Sequence, residues 1–267
     1  MGVLEQILAS KRREISERLP LALSASKTAS LRKPSIANLC EQLARRPGEP
    51  LRLLAEIKRR SPSAGPLSTL LSVAERAQCY ARGGVAVISV LTDQEFFGGS
   101  FDDLRTVAET VSTPVLCKDF VLDARQIQQA AEAGATLILL IMRIVPDDAS
   151  LRALTDAARE RGLEPLFEVA TEAELERALT MNPRIIGVNA RDLDTLTMNQ
   201  DQAAAVLQQI PHDVIALHLS GLHAPADIRA IASSRADGAL VGEALMRCDD
   251  PTLLLSHLMQ ATGEPNR

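Results

Sequence analysis

Eight short apolar runs recur along the chain from about residue 50 onward, each followed by a longer amphipathic stretch. The runs are Leu51–Lys58, Val85–Val90, Pro114–Lys118, Thr136–Ile141, Leu163–Val169, Arg184–Asn189, Asp213–Leu219 and Gly238–Val241. Their spacing leaves room for one helix between successive strands, as βα units require. They are apolar almost throughout, the pattern of parallel strands covered on both faces. The stretches between them, such as Leu71–Arg82, Asp123–Ala133, Asp147–Arg161 and Thr171–Leu179, have helical periodicity. Ser100, Asp123, Asp147 and Thr171 stand where helix caps belong, and Gly83, Gly134 and Gly162 where helices should stop. Eight such units predict an α/β fold, a single (β/α)8 TIM barrel. A doubly wound open sheet would want a glycine-rich fingerprint after the first strand, and A-E-I-K-R-R-S-P-S (55–63) is not one.

Residues 1–48 are left over and predict an N-terminal helical extension packed on the barrel of 49–267, one structural domain overall. Val3–Leu19 is helical in pattern, and Ser35–Arg46 is a second short helix behind Pro34. Forty-odd residues are too few for a core of their own.

Composition narrows the function classes. Of 267 residues, 46% are hydrophobic and 24% charged, which excludes a largely disordered chain. The longest apolar run, Thr136–Met142, is far below the roughly 18–20 residues of a membrane span. The amphipathic, doubly charged N-terminus is no signal peptide, and Gln6 stands where a myristoylation signal has Ser or Thr. A net charge of −5 argues against nucleic acid as the main partner. Cys40, Cys79, Cys117 and Cys248 are scattered, as in a reduced cytoplasmic protein, and the four histidines form no metal-binding pattern. The chain stops soon after the eighth helix, so no fused second enzyme is expected. A monomer or weak homo-oligomer is expected.

The cations are uneven. Only five of 29 are lysines, and after residue 33 only Lys58 and Lys118 remain. Lysine differs from arginine in having a pKa that burial can bring into a working range. Active sites of (β/α)8 barrels lie at the C-terminal ends of the strands, and both lysines stand there. Glu56 and Lys58 are two apart and share a side of their strand. Glu56 and Glu168 interrupt otherwise apolar runs, where a charge is costly unless paired or functional. Either carboxylate alone suits a structural ion pair as well as a catalytic one. Two lysines and two glutamates converging on one mouth favour catalysis. Asn189 and Arg191 follow the sixth run. Ser220-Gly221 and Gly242-Glu243, after the last two, suit a phosphate at helix N-termini. Phe96, Phe97 and Phe120 fall in loops on the same face and could wall an aromatic ring.

These residues resemble the indole-3-glycerol phosphate synthase family. The resemblance rests on L-A-E-I-K-R-R-S-P-S-A-G (54–65), A-V-I-S-V-L-T-D (86–93), F-F-G-G-S (96–100) and P-V-L-C-K-D-F (114–120). L-F-E-V (166–169), I-I-G-V-N-A-R-D-L (185–193) and L-V-G-E-A-L-M (240–246) continue it over nearly the whole chain. It implies a carboxy-lyase of tryptophan biosynthesis. The reaction is ring closure, decarboxylation and dehydration of 1-(2-carboxyphenylamino)-1-deoxyribulose 5-phosphate, with no metal and no organic cofactor. By resemblance, Lys118 is the general acid, Glu168 its partner in dehydration, and Glu56 assists. Lys58 pairs with the substrate's anionic groups; Ser61, Asn189, Arg191 and Ser220 bind substrate, and Phe97 and Phe120 line the anthranilate side. Gly221, Gly242 and the N–H of Glu243 hold the phosphate.

Three positions depart from the family pattern. The usual S-E-S-G-I reads His218-Leu219-Ser220-Gly221-Leu222 here, so a carboxylate at the mouth is Leu219. N-N-R becomes Asn189-Ala190-Arg191, and E-V-H becomes Glu168-Val169-Ala170. Strand parity sends His218 to the opposite face from Leu219, toward the helices. A divergent paralogue that binds a related sugar phosphate, with altered or lost catalysis, is the second reading.

Overall fold

The computed structural model describes residues 2–18 and 35–263. Eight parallel strands close into a barrel: β1 (Arg52–Ile57), β2 (Val87–Leu91), β3 (Val115–Lys118), β4 (Leu137–Ile141), β5 (Glu164–Val169), β6 (Ile185–Val188), β7 (Ile215–His218) and β8 (Gly238–Val241). Each strand neighbours the next in sequence, and β8 pairs with β1 through Arg52↔Gly238 to Ala55↔Val241. Every apolar run of the sequence carries one barrel strand. Both faces of these strands are buried, by the interior on one side and the helical ring on the other, so no polar alternation is needed.

The helices α1 (Val3–Arg18), α2 (Ile36–Leu43), α3 (Val73–Arg82), α4 (Gln94–Phe97), α5 (Phe101–Thr110) and α6 (Ala124–Glu132) come first. They are followed by α7 (Asp148–Glu160), α8 (Glu172–Leu179), α9 (Gln200–Gln209), α10 (Pro225–Ala232), α11 (Glu243–Arg247) and α12 (Thr252–Ala261). Ser100, Asp123, Asp147 and Thr171 each accept a backbone N–H of the first turn, from Asp103, Arg125, Ser150 and Glu174. This satisfies donors that no helix can pair internally. Gly134 and Gly162 take the left-handed conformation just beyond the ends of α6 and α7; at the end of α3 it is Gly84 that does so, while the expected Gly83 stays right-handed.

Two loops hold more structure than the sequence suggested. Arg60–Ser61 pairs with Gly65–Pro66 as a small antiparallel hairpin after β1. Phe96 and Phe97 lie in α4 rather than in open loop, because Asp93 caps it through the Phe96 N–H.

The two N-terminal helices serve opposite ends of the barrel. α1 reaches the C-terminal mouth, where Lys11 pairs with Asp93 after β2 and Asp119 after β3. α2 buries Leu39 and Leu43, and just beyond it the Arg45 N–H binds Asp237 at the start of β8. Leu4, Ile7, Leu39 and Leu43 share one hydrophobic cluster with the barrel. The expected second helix is shorter, Ile36–Leu43, since the backbone turns extended at Ala44. Leu19 and Pro34 lie outside the described residues.

Candidate active site

Two adjoining cavities open at the C-terminal mouth, and every candidate residue of the sequence but Phe96 borders one or both. Glu56, Lys58, Lys118, Glu168, Asn189 and Arg191 border the larger. Ser61, Phe97, Phe120 and Ser220 border it as well. The smaller one shares Glu56, Lys58, Arg191 and Ser220 and adds Gly221, Gly242 and Glu243.

Strand geometry sets the acid–base groups. Glu56 near the end of β1 and Lys58 just past it pair at 2.6 Å, as their shared parity requires. Lys118, the last residue of β3, reaches Glu168 on β5 across the mouth at 3.5 Å. The other Glu168 oxygen accepts from Asn189 Nδ2 at 2.9 Å, and Asn189 Oδ1 accepts from Ser220 Oγ at 2.7 Å. Glu168 is thus held from two sides with one oxygen turned to an ammonium.

Burial alone would raise the Glu56 carboxyl, but Lys58 and Lys118 outweigh it and hold the group below its ordinary value. Burial alone would lower Lys118, but Glu168 and Glu56 outweigh that and raise it. Glu56 is therefore a carboxylate and Lys118 an ammonium at neutral pH. Arg191 finds no carboxylate partner among the described residues; its guanidinium donates to the Leu196 carbonyl. Lys58, Lys118 and Arg191 stand there against Glu56 and Glu168, while the cavities' other carboxylates, Asp119 and Glu243, are taken up by Lys11 and Arg247. The uncompensated Arg191 makes the mouth a setting for an anion.

The aromatic wall is narrower than expected. Phe97 and Phe120 face each other with ring centroids 6.1 Å apart, while Phe96 packs on the core and does not border the cavity. Leu91, Leu139, Ile141 and Leu219 complete an apolar floor.

The glycine corner has steric reasons. A Cβ on Gly242 would run into Glu56 Oε1, and one on Gly221 into the Met198 side chain. Gly221 also has φ +81°, open to glycine at little cost. Gly242 leads into α11, whose first backbone N–H, that of Glu243, is unpaired within the helix. The Glu243 side chain turns away to Arg247.

Leu219 borders both cavities and lies against Gly187, so an alkyl chain occupies the mouth there. His218 faces the other way, buried, with Nε2 3.2 Å from Gln200 Oε1 on α9. Burial lowers its pKa to about 4. It is a neutral residue of the helix–sheet interface.

Sequence reasoning missed the N-terminal wall. Val3 and Ile7 of α1 border the cavity, and Lys11 is 1% exposed between Asp93 and Asp119. The signal was present: Val3, Ile7 and Lys11 are four apart and lie on one helical face. Leu193 and Leu196, in the loop after β6, also border the cavity, and Arg143 holds that loop through Asp192 and Asp194 at 2.9 and 2.6 Å.

A closed parallel barrel with paired ammonium and carboxylate groups beside a glycine-lined cationic corner defines a (β/α)8-barrel enzyme suited to acid–base work on an anionic small molecule. The family model described as indole-3-glycerol phosphate synthase matches residues 4–258. Among curated proteins, the indole-3-glycerol phosphate synthase of Mycobacterium leprae is 40% identical over 265 residues, covering 99% of this chain and 96% of its own. That of Nocardioides sp. is 43% identical over 259 residues, 94% and 95% of the two chains. That of Opitutus terrae is 42% identical over 259 residues, 95% and 97%. The chain belongs to the indole-3-glycerol phosphate synthase family. Solved structures support the fold alone: a 3-hexulose-6-phosphate synthase at TM-score 0.64 and 16% identity, covering 79% of this chain and 99% of that one. The tryptophan synthase α subunit of Legionella pneumophila gives 0.62 at 18% identity, with 85% and 97% covered.

Proposed function

We propose that this mouth carries out the family reaction, conversion of 1-(2-carboxyphenylamino)-1-deoxyribulose 5-phosphate to indole-3-glycerol phosphate, CO2 and water, with Lys118, Glu168 and Glu56 as its proton-transfer groups. The observation that carries the assignment is the pair of ammonium–carboxylate contacts, Lys118–Glu168 and Lys58–Glu56, bordering one cavity. Lys118 gives its proton to the ketone oxygen as the aryl carbon attacks the carbonyl carbon. Loss of CO2 then restores the ring's aromatic electrons. Glu168, steadied by Asn189, moves the proton that accompanies departure of the hydroxyl as water, and Glu56 assists by favouring the charged form of Lys118.

The remaining groups bind. Lys58 and Arg191 supply positive charge for the carboxylate and phosphate; Ser61 and Ser220 add hydroxyls. Phe97 and Phe120 flank the anthranilate ring. The corner of Gly221, Gly242 and the Glu243 N–H takes the phosphate, where backbone donors approach without a side chain between. In this reading Leu219 leaves one less negative charge opposite an anionic substrate.

The test is direct turnover, followed by the fluorescence of the indole product. The chain has no tryptophan, so the background is dark. Product formation that is lost in Lys118→Ala, by at least the ~10²–10⁴-fold typical of a removed proton-transfer group, is expected. Saturable substrate binding with no indole product from the wild type would overturn the assignment and favour a binder of related sugar phosphates.

A further inference from the structure

Lys11 is 1% exposed, yet it stands on an N-terminal helix outside the barrel. Its ammonium lies 3.0 Å from Asp93 Oδ2, 2.9 Å from Asp119 Oδ1 and 2.8 Å from Glu14 Oε2. Asp93 and Asp119 are equally buried, while Glu14 is partly in solvent. Each aspartate spends its other contacts on the active site. Asp93 Oδ1 accepts the Phe96 N–H and so starts α4, which carries Phe97. Asp119 directly follows Lys118, accepts the Phe120 N–H through Oδ1 and binds Thr92 Oγ1 through Oδ2. One cation therefore joins the helix that supplies Val3 and Ile7, the helix that supplies Phe97, and the strand end that supplies Lys118 and Phe120.

We propose that Lys11 is a positioning residue for the reaction: by holding Asp93 and Asp119 together it fixes Lys118 and the Phe97–Phe120 wall in register with α1. This rests on the reading of Lys118 as the proton donor. The physical reason is that two buried carboxylates cannot stay ionised side by side without a cation. Without Lys11 they separate or share a proton, and the backbone at Lys118 moves with Asp119. The other titratable groups facing this ammonium are Glu14 on α1 and the Cys117 thiol on β3. The same helix also meets Glu95 of α4, through the buried Ser10 and the exposed Arg13, in contacts that involve neither aspartate.

The experiment measures kcat, KM, their pH profiles and thermal midpoints for the wild type, Lys11→Met, Arg13→Ala and Lys118→Ala. Lys11→Met is expected to lose kcat on the order of 10²-fold, the scale of a misplaced reacting group, with a smaller rise in KM. Its kcat relative to wild type should recover as pH falls, because a proton on the aspartate pair replaces the missing cation. Arg13→Ala should keep both constants. Lys11→Met that melts earlier but keeps wild-type kcat, KM and pH profile would overturn the proposal and leave Lys11 a stability residue. If Lys11→Met does not fold, Asp119→Asn, whose amide oxygen still accepts the Phe120 N–H, takes its place. A fall in its kcat with little change in KM is expected, and an unchanged kcat overturns the proposal. Lys118→Ala separates the two readings. Should it retain turnover, the site assignment fails; should it be inactive while Lys11→Met is normal, only the positioning role fails.

Discussion

His218 and Leu219 are consecutive, yet one faces the helices and the other the cavities of the mouth, and each has its own consequence. His218 is neutral in the folded protein, with a pKa near 4 because burial disfavours its charge. The unfolded chain takes up a proton on this group below about 6.5. Between those values the unfolded state binds more protons, so stability falls as pH drops from about 6.5 toward 4. The window corresponds to on the order of 3 kcal/mol. His218→Leu should cost about 1 kcal/mol at pH 7 through the lost Gln200 contact, yet flatten the fall of the melting temperature between pH 6.5 and 4.5. Thermal melts at stepped pH check this, and an unchanged slope would mean another group controls acid stability. Glu168→Gln is the complementary change at the mouth. It keeps an acceptor for Asn189 but removes the proposed proton carrier, so kcat should fall ~10²–10⁴-fold with KM nearly unchanged.

The eight strands were legible because strands buried on both faces need long apolar runs, and such runs survive almost any choice of Val, Ile or Leu. The helices were legible from their caps, since Ser100, Asp123, Asp147 and Thr171 satisfy donors within their own turn. The Arg60–Ser61 hairpin and α4 were not, because tertiary partners hold them: Arg59 grips Asp103, and Lys11 grips the aspartate that caps α4. Lys11 itself read as one of three N-terminal lysines, though its place on the Val3–Ile7 face marked it as different. The glycines after β7 and β8 suggested a phosphate corner, but the sequence did not reveal that Gly242 makes room for Glu56. That contact ties the corner to the acid–base groups. Gly242→Ala should therefore raise KM and lower kcat together, about tenfold or more in kcat/KM, because its methyl displaces the Glu56 carboxylate and with it Lys58. A variant that raises KM alone would show that the corner and the catalytic pair are independent.

At the scale of the whole barrel, the charged clusters divide by end. Those at the C-terminal mouth border its two cavities, whereas a separate one sits at the other end and borders neither. Asp237, just before β8, accepts the Arg45 N–H at 3.0 Å and the Ala216 N–H at 2.8 Å, and pairs with Arg235 at 2.8 Å. Its own backbone spans the closing seam, donating to Ala216 on β7 and accepting from Arg52 on β1. Arg235 in turn donates to the carbonyls of Pro211 and Val214. This knot joins the segment after α2, the starts of β7 and β8, and the first residue of β1. Asp237→Ala leaves the Ala216 N–H without its acceptor and Arg235 without its counterion. The loss should be about 3–5 kcal/mol, the cost of breaking a buried pair from one side. Because the change lies at the far end from Lys118, kcat and KM of the molecules still folded should stay at wild-type values. Denaturant melts read the first effect and active-site-normalised kinetics the second. A change in kcat comparable to that of Lys11→Met would mean that strain crosses the barrel, and that the two ends are not separable.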